Sequence, residues 1–200
     1  MWNEKFSKEG FMYGTLCNVF IKDNIYIVPK GSSVLCLAEG EGRNAIYLAQ
    51  QGYEVEALDA SSVGLDKLKK SATEKSLEIQ TSLLDLNNWQ PTQQYDAIVA
   101  SFMHLPEPLR TQTFTKAMDA LKPKGHIIME FFSKDQMRDN FSSGGPKDLD
   151  LLYDVSEMFP IFTRSDITIN QLSQEEDTLD EGWGHQGKAS LVRIIVQKKP

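Results

Sequence analysis

Several things are scarce in this 200-residue chain, and each scarcity excludes something. There are two cysteines, Cys17 and Cys36, with no metal-ligand spacing and no basis for a disulfide framework. There are three histidines, so an imidazole-rich metal centre is not expected and no metal is assigned. Positive charge is in deficit: 21 Lys and Arg against 28 Asp and Glu give a net charge of −7. Such a chain repels phosphate backbones and anionic lipid, which argues against nucleic-acid and membrane partners. No apolar run approaches membrane-spanning length. The opening "MWNEKFSKEG" lacks the apolar centre of a secretion signal, so a cytoplasmic protein is expected.

What is present is the composition of one folded domain, 40% hydrophobic and 10% aromatic. The apolar "SSVLCLA" (32–38) precedes a glycine turn and reads as a buried strand. "RNAIYLAQQ" follows at helical spacing, with Gly52 at its C-terminal cap. "YEVEALD" (53–59), "LEIQTSLLD" (77–85), "YDAIVASF" (95–102) and "HIIMEFF" (126–132) read as four further strands. Helices fall between them: one capped by Ser61 or Ser62, one over 107–121 stopped by "KPKG". Residues 18–28 suggest an early helix, and a short helix is expected near "LYDVSEMF". Late strands are expected at about 161–171 and 188–198, with 133–148 and 173–187 irregular. The alternation predicts a doubly wound α/β fold, its sheet mostly parallel, with an antiparallel pair at one edge.

Ligands of such sheets bind outside the carboxyl ends of the strands. There the sequence places "AEGEG" (38–42), Asp59, Asp85 and Ser101. Gly40, Gly42 and Ala45 satisfy the dinucleotide pattern G-x-G-x-x-G/A, with Asp59 following 19 residues after Gly40. A pyrophosphate on this turn would meet Glu39 and Glu41. S-adenosylmethionine carries a sulfonium and an ammonium instead, which acids suit, and one carboxylate, which backbone N–H groups can hold. Asp59 would then accept from the ribose hydroxyls and Asp85 from the adenine amino group. Each feature alone has a bland reading as a tight turn or helix cap; the set at successive strand ends favours the cofactor.

"VLCLAEGEGRNAIYLAQQGYEVEALDAS", "YDAIVASFMHLP" and "LKPKGHIIMEFF" resemble the motifs of class I S-adenosylmethionine-dependent methyltransferases over about 33–132. "AEGEGRNA", the early "YGTLCNVFI" and the late "EGWGHQGKASLVRIIVQKK" resemble the tellurite-resistance branch. The resemblance implies a Rossmann-like, seven-stranded sheet with an antiparallel last strand. It implies that Glu39, Gly40 and Gly42 line the methionine part, Asp59 and Ala60 the ribose, Asp85 and Leu86 the adenine, with Ser101 and Phe102 beneath the methionine. Residues 1–30 would form a lid segment, 31–132 the cofactor-binding core, and 133–200 the substrate side and closing strands. Cys36 and Ala38 depart from the aspartate and glycine that many members carry there.

The implied reaction moves a methyl group to a small-molecule acceptor, a soft nucleophile such as a chalcogen oxyanion or a thiol. By the same resemblance His185 and Arg193 lie near the acceptor; the bland alternative is a solvated loop histidine and a surface arginine. His104 is either a wall of the acceptor pocket or a polar residue beside a helix. His126 reads as structural, and Tyr13 as part of a lid or as packing. Arg43 pairs with Glu39 or Glu41. Cys17 and Cys36 read as packed thiols, Trp2, Trp89 and Trp183 as packing residues, and "EEDTLDE" as a solvated loop. Two other readings remain open: an NAD-dependent oxidoreductase, and a noncatalytic module that binds S-adenosylmethionine.

Overall fold

The computed structural model describes residues 1–138 and 141–200. Thirteen helices and strands are ordered α1 (Trp2–Phe6), α2 (Val19–Asn24), β1 (Ser33–Leu37), α3 (Arg43–Gln50), β2 (Glu54–Asp59), α4 (Ser62–Glu74), β3 (Ile79–Leu83), β4 (Tyr95–Ser101), α5 (Leu109–Asp119), β5 (Leu121–Phe132), α6 (Val155–Phe162), β6 (Ile167–Glu181) and β7 (His185–Lys198). The strands form one sheet in the order β3-β2-β1-β4-β5-β7-β6. β1 to β5 run parallel to one another, and β7 is antiparallel to both β5 and β6. This is the expected doubly wound, mostly parallel seven-stranded α/β sheet.

The continuous apolar run of β1 is explained by burial on both faces. Leu35 and Leu37 pack into one core cluster with Ile98 and Phe114, while Val34 and Cys36 pack into the other with Ala45 and Leu48. Burying each such side chain stabilises by roughly 1.5–3 kcal/mol before entropy is counted. Cys36 is wholly enclosed in that second cluster and points away from the strand end. α4 starts where the Ser61 hydroxyl accepts from the Gly64 N–H, and α6 where Asp154 accepts from Ser156.

Three boundaries differ from the expectation. The helix over 107–121 is shorter, because β5 begins at Leu121 and takes in the "KPKG" segment; Lys124 sits at φ 66° where the pairing with β4 shifts register. The segment over 18–28 is a six-residue helix followed by a 3-10 turn. Most consequential, 173–187 is not irregular: β6 and β7 run as one long hairpin paired from Ile167↔Lys198 to Glu181↔His185. Of 133–148, residues 134–137 form a 3-10 turn, and 139–140 lie outside the described residues.

Candidate active site

A cavity of about 470 Å³ opens at the carboxyl ends of β1, β2 and β4. Glu39, Gly40, Gly42, Asp59, Ala60, Asp85, Leu86, Ser101, Phe102 and His185 all border it, as do Tyr13 and His104. Arg193 does not. It sits on β7 opposite Glu130 of β5, and its three guanidinium nitrogens go to Glu130, Glu175 and Asp177 at 2.7, 2.7 and 2.6 Å. The expected approach of Arg193 to the acceptor therefore does not occur in this geometry.

The glycine turn is built by close approach. Gly40 and Gly42 have φ of 62° and 96°, and a Cβ on Gly42 would stand 2.5 Å from the Leu68 side chain. Ala38 and Phe102, at the ends of β1 and β4, also hold positive φ, 50° and 52°. Backbone strain of this kind collects at sites that need a fixed geometry.

Glu39 borders the cavity, but its carboxylate turns to the start of α3. Oε1 accepts from the Asn44 and Ala45 N–H groups at 2.7 and 2.8 Å, and Oε2 from the Asn44 side chain. The N-cap residue, Gly42, has no side chain, so Glu39 supplies the missing acceptor. Burial pushes Glu39 up to about 7, against the Ala45 and Asn44 bonds and the Arg43 charge. Glu41 turns to the N-terminal arm, accepting from the Met12 N–H at 2.7 Å and pairing with Lys67 at 2.6 Å. Both carboxylates are engaged by the protein itself, Glu39 while still bordering the cavity.

Asp59 borders the cavity at the end of β2. Its Oδ2 accepts from Gly40 and its Oδ1 from Ser61, at 2.8 and 2.7 Å, leaving one lone pair on each oxygen. Burial raises its pKa against those two bonds. Asp85 is exposed at the rim; hydrogen bonds from the Asn87 backbone and side chain hold it low. Acceptor-only groups at these two places suit a nucleoside rich in hydroxyl and amino donors. Among the described residues the two cations beside the turn are both paired, Arg43 with Glu181 at 2.9 Å and Lys67 with Glu41, so neither is free for a pyrophosphate. The residues thus fit an adenosyl sulfonium better than a dinucleotide.

His185 is not a solvated loop residue. Only 3% of it is exposed, and its ring lies 4.3 Å from those of Tyr13 and Phe102 and 5.0 Å from that of Phe132. Its Nδ1 is 3.3 Å from Glu181 Oε2. Burial lowers its pKa while Glu181 raises it. His104 stacks on Phe132, and burial drives its pKa down to about 3. Sequence reasoning missed Glu181 and Asn18. Asn18 is fully buried and donates to both Glu130 (2.7 Å) and Glu181 (3.0 Å), joining Arg193 to the cavity wall through a polar chain. Glu181 sits in "EEDTLDE", read as a solvated loop; its spacing of four from His185 across "GWG" was the available signal.

A family model described as a methyltransferase domain matches residues 34–125. TehB of Haemophilus influenzae, named as an S-adenosyl-L-methionine-dependent methyltransferase, is 33% identical over 72 residues, 36% of this chain and 25% of TehB. YqeM of Bacillus subtilis, also named as a methyltransferase, is 28% identical over 146 residues, 70% of this chain and 57% of YqeM. The matches thus span less than two thirds of either relative. The crystal structure of Haemophilus influenzae TehB superimposes with a TM-score of 0.74 at 19% identity, covering 99% of this chain and 66% of that one. A structure named for the conversion of a disulfide bond into a thioacetal group during echinomycin biosynthesis gives 0.73 at 15% identity, covering 98% and 88%. Residues 34–125 therefore match a methyltransferase-domain model, and the chain shares the fold of solved methyltransferases such as TehB, to which it is similar.

Proposed function

We propose that the protein transfers the methyl group of S-adenosylmethionine to a small soft nucleophile, a thiol in preference to a chalcogen oxyanion. The observation that carries this reading is the meeting of the glycine turn, Asp59, Asp85 and His185 around one cavity of about 470 Å³. The cofactor, when bound, supplies a methyl group already activated on a sulfonium. The chain's own work is then to bind, orient and exclude water.

In this assignment the turn at Gly40 and Gly42 holds the methionine part, with Ser101 and Phe102 beneath it. Asp59 and Ala60 take the ribose, and Asp85 and Leu86 take the adenine. His185 faces the acceptor. Arg193 acts at a distance, holding Glu130 and the hairpin in place. Residues 1–30 serve as a lid: Trp2, Phe6 and Tyr13 border the cavity, and the Gly184 N–H donates to Met12 O at 2.9 Å. Residues 31–132 hold the cofactor and 133–200 complete the acceptor side.

Three features favour a small, uncharged acceptor. The cavity must hold both cofactor and acceptor. The net charge of −7 disfavours polyanions. Arg43 and Arg193, which an oxyanion would need, are already paired with carboxylates. The fold neighbour named for thioacetal formation is consistent with sulfur chemistry on this scaffold. The test is a calorimetric panel of S-adenosylmethionine, S-adenosylhomocysteine and NAD, followed by methyl-transfer assays on thiols, selenite and tellurite. Binding of the two adenosyl ligands with thioether formation is expected; binding without transfer to any acceptor would leave only a sensing module.

A further inference from the structure

We propose that Glu181 is a positioning residue that fixes His185 with its proton on Nδ1, leaving Nε2 as the base for an acceptor that arrives protonated, a neutral thiol. The inference rests on the methyl-transfer reading and deepens it.

The proton can be placed by counting donors and acceptors. Glu181 and His185 are the last pair of the β6/β7 hairpin, facing each other across a three-residue turn. Glu181 Oε1 accepts from Asn18, and Oε2 stands 2.9 Å from Arg43 and 3.3 Å from His185 Nδ1. The Arg43 guanidinium and the His185 bond hold Glu181 low despite its burial. An ionised carboxylate only accepts, so Nδ1 must donate. The neutral ring then carries its lone pair on Nε2. The recorded polar contact of the ring is the one through Nδ1, and His185 borders the cavity, so Nε2 is the ring nitrogen left for a ligand there. The rings of Tyr13, Phe102 and Phe132 pack around the imidazole at 4.3, 4.3 and 5.0 Å.

The surroundings select the acceptor. The titratable and charged groups packed toward His185 are Glu181 from β6, Arg43 from α3, Tyr13 from the arm and His104 from the loop after β4, with Glu130 of β5 reached through Asn18. Arg43 is spent on Glu181, so nothing here neutralises an anion. An oxyanion would also need no base. A thiol ionises near 8.5 and an alkylammonium near 10.4, so an imidazole base is closer to the thiol by about two units. In the step, the thiol proton moves to Nε2. The sulfur electron pair forms the bond to the methyl carbon as the bond from that carbon to the sulfonium sulfur breaks. The products are a methyl thioether, S-adenosylhomocysteine and an imidazolium balanced by Glu181, whose proton returns to water.

The chain has only three histidines, so their ring nitrogens can be resolved by 15N NMR in this 200-residue chain without any ligand. Assignment uses His104→Gln and His126→Gln. At neutral pH, His185 is expected to show a protonated Nδ1 and an unprotonated Nε2; in Glu181→Gln the two forms should mix. Transfer is then followed with butanethiol, selenite and butylamine. Butanethiol should be the acceptor. Glu181→Gln should lower kcat about 10- to 100-fold with the cofactor Kd held within about twofold, and should shift the acid limb of kcat to lower pH, because the carboxylate no longer supports the imidazolium. A wild-type ring protonated on Nε2, with cofactor binding and transfer intact, overturns this inference alone. So does preferential methylation of selenite or butylamine, or an unmoved pH profile in Glu181→Gln. Cofactor binding with no transfer to any of the three overturns the methyl-transfer reading as well. The tautomer measurement on the wild type decides the geometry even if Glu181→Gln does not fold.

Discussion

Asp59 has two neighbours that already use half of its hydrogen-bonding capacity, the N–H groups of Gly40 and Ser61. What it has left is acceptor capacity for ribose hydroxyls. Asp59→Ala should therefore raise the Kd for S-adenosylmethionine about 10- to 100-fold by calorimetry, the cost of a charged hydrogen-bond acceptor. An unchanged Kd would remove Asp59 from the cofactor site. Gly42→Ala tests the turn itself: with φ at 96° and Leu68 in the way of a Cβ, the fold should lose about 2–4 kcal/mol in urea denaturation. At this scale the sequence was legible where a residue type has one plausible use at its position. Glycines that admit positive φ and an acid closing a buried strand are of that kind. Glu39 was not legible, because the same carboxylate can serve a ligand cation or a helix start. Nothing in "AEGEG" announces that the N-cap of α3 is a glycine without an acceptor of its own. Arg193 misled for the opposite reason: it lies eight residues after His185, but its partners are three carboxylates scattered over β5 and β6.

The strands that alternate with helices were readable because both faces of the sheet are buried, and β1 and β4 consequently spell out apolar runs. The β6/β7 hairpin was only half readable. Its proximal part is apolar on β7. Its distal part on β6, "SQEEDTLDE", is an edge on which Glu175 and Asp177 hold Arg193 of β7, while the buried Glu181 holds Arg43 of α3 and His185 of β7. Charge density of that sort reads as loop when partners are out of view. The turn of this hairpin is also the fastening of the N-terminal arm. A Cβ on Gly182 would stand 2.3 Å from the Gly14 nitrogen and 2.7 Å from Met12 O, and its φ is 61°. Gly182→Ala should thus push the arm off the hairpin while leaving the sheet intact. The expected signature is faster proteolysis within 7–16, a melting temperature lowered by a few degrees, and weaker cofactor binding through loss of cover from Tyr13 and Phe6. If proteolysis and affinity both stay at wild-type levels, the arm is not a lid.

Over the whole molecule, burial acts on acids and imidazoles in opposite directions, and the dependence of stability on pH follows from the balance. His104 falls from 6.5 to about 3, because enclosure disfavours the imidazolium. Between those values the unfolded chain binds a proton that the folded chain refuses, so His104 makes stability rise with pH across that window, by up to about 1.4 kcal/mol per unit. Glu39 rises from 4.5 to about 7. There the folded chain keeps a proton that the unfolded chain has lost, so Glu39 makes stability fall as pH rises from about 4.5 to 7. His185 and His126 share the sign of His104; Asp59 and Glu130 share that of Glu39. From about pH 4.5 to 6.5 the two sets oppose each other, and urea midpoints should change little. Below about 4.5 Glu39 is protonated in both states and drops out. His104 continues to act, joined by carboxylates held low in the folded state, such as Asp96 beside Lys122 and Glu181 beside His185 and Arg43, whose contributions vanish as they protonate. Stability should then fall steeply. Single substitutions separate the two terms by slope rather than by absolute stability. His104→Gln should tilt the plateau so that stability declines with rising pH between 4.5 and 6.5, and Glu39→Gln should tilt it the other way. A plateau that stays level in both variants would mean that neither group titrates as its surroundings dictate.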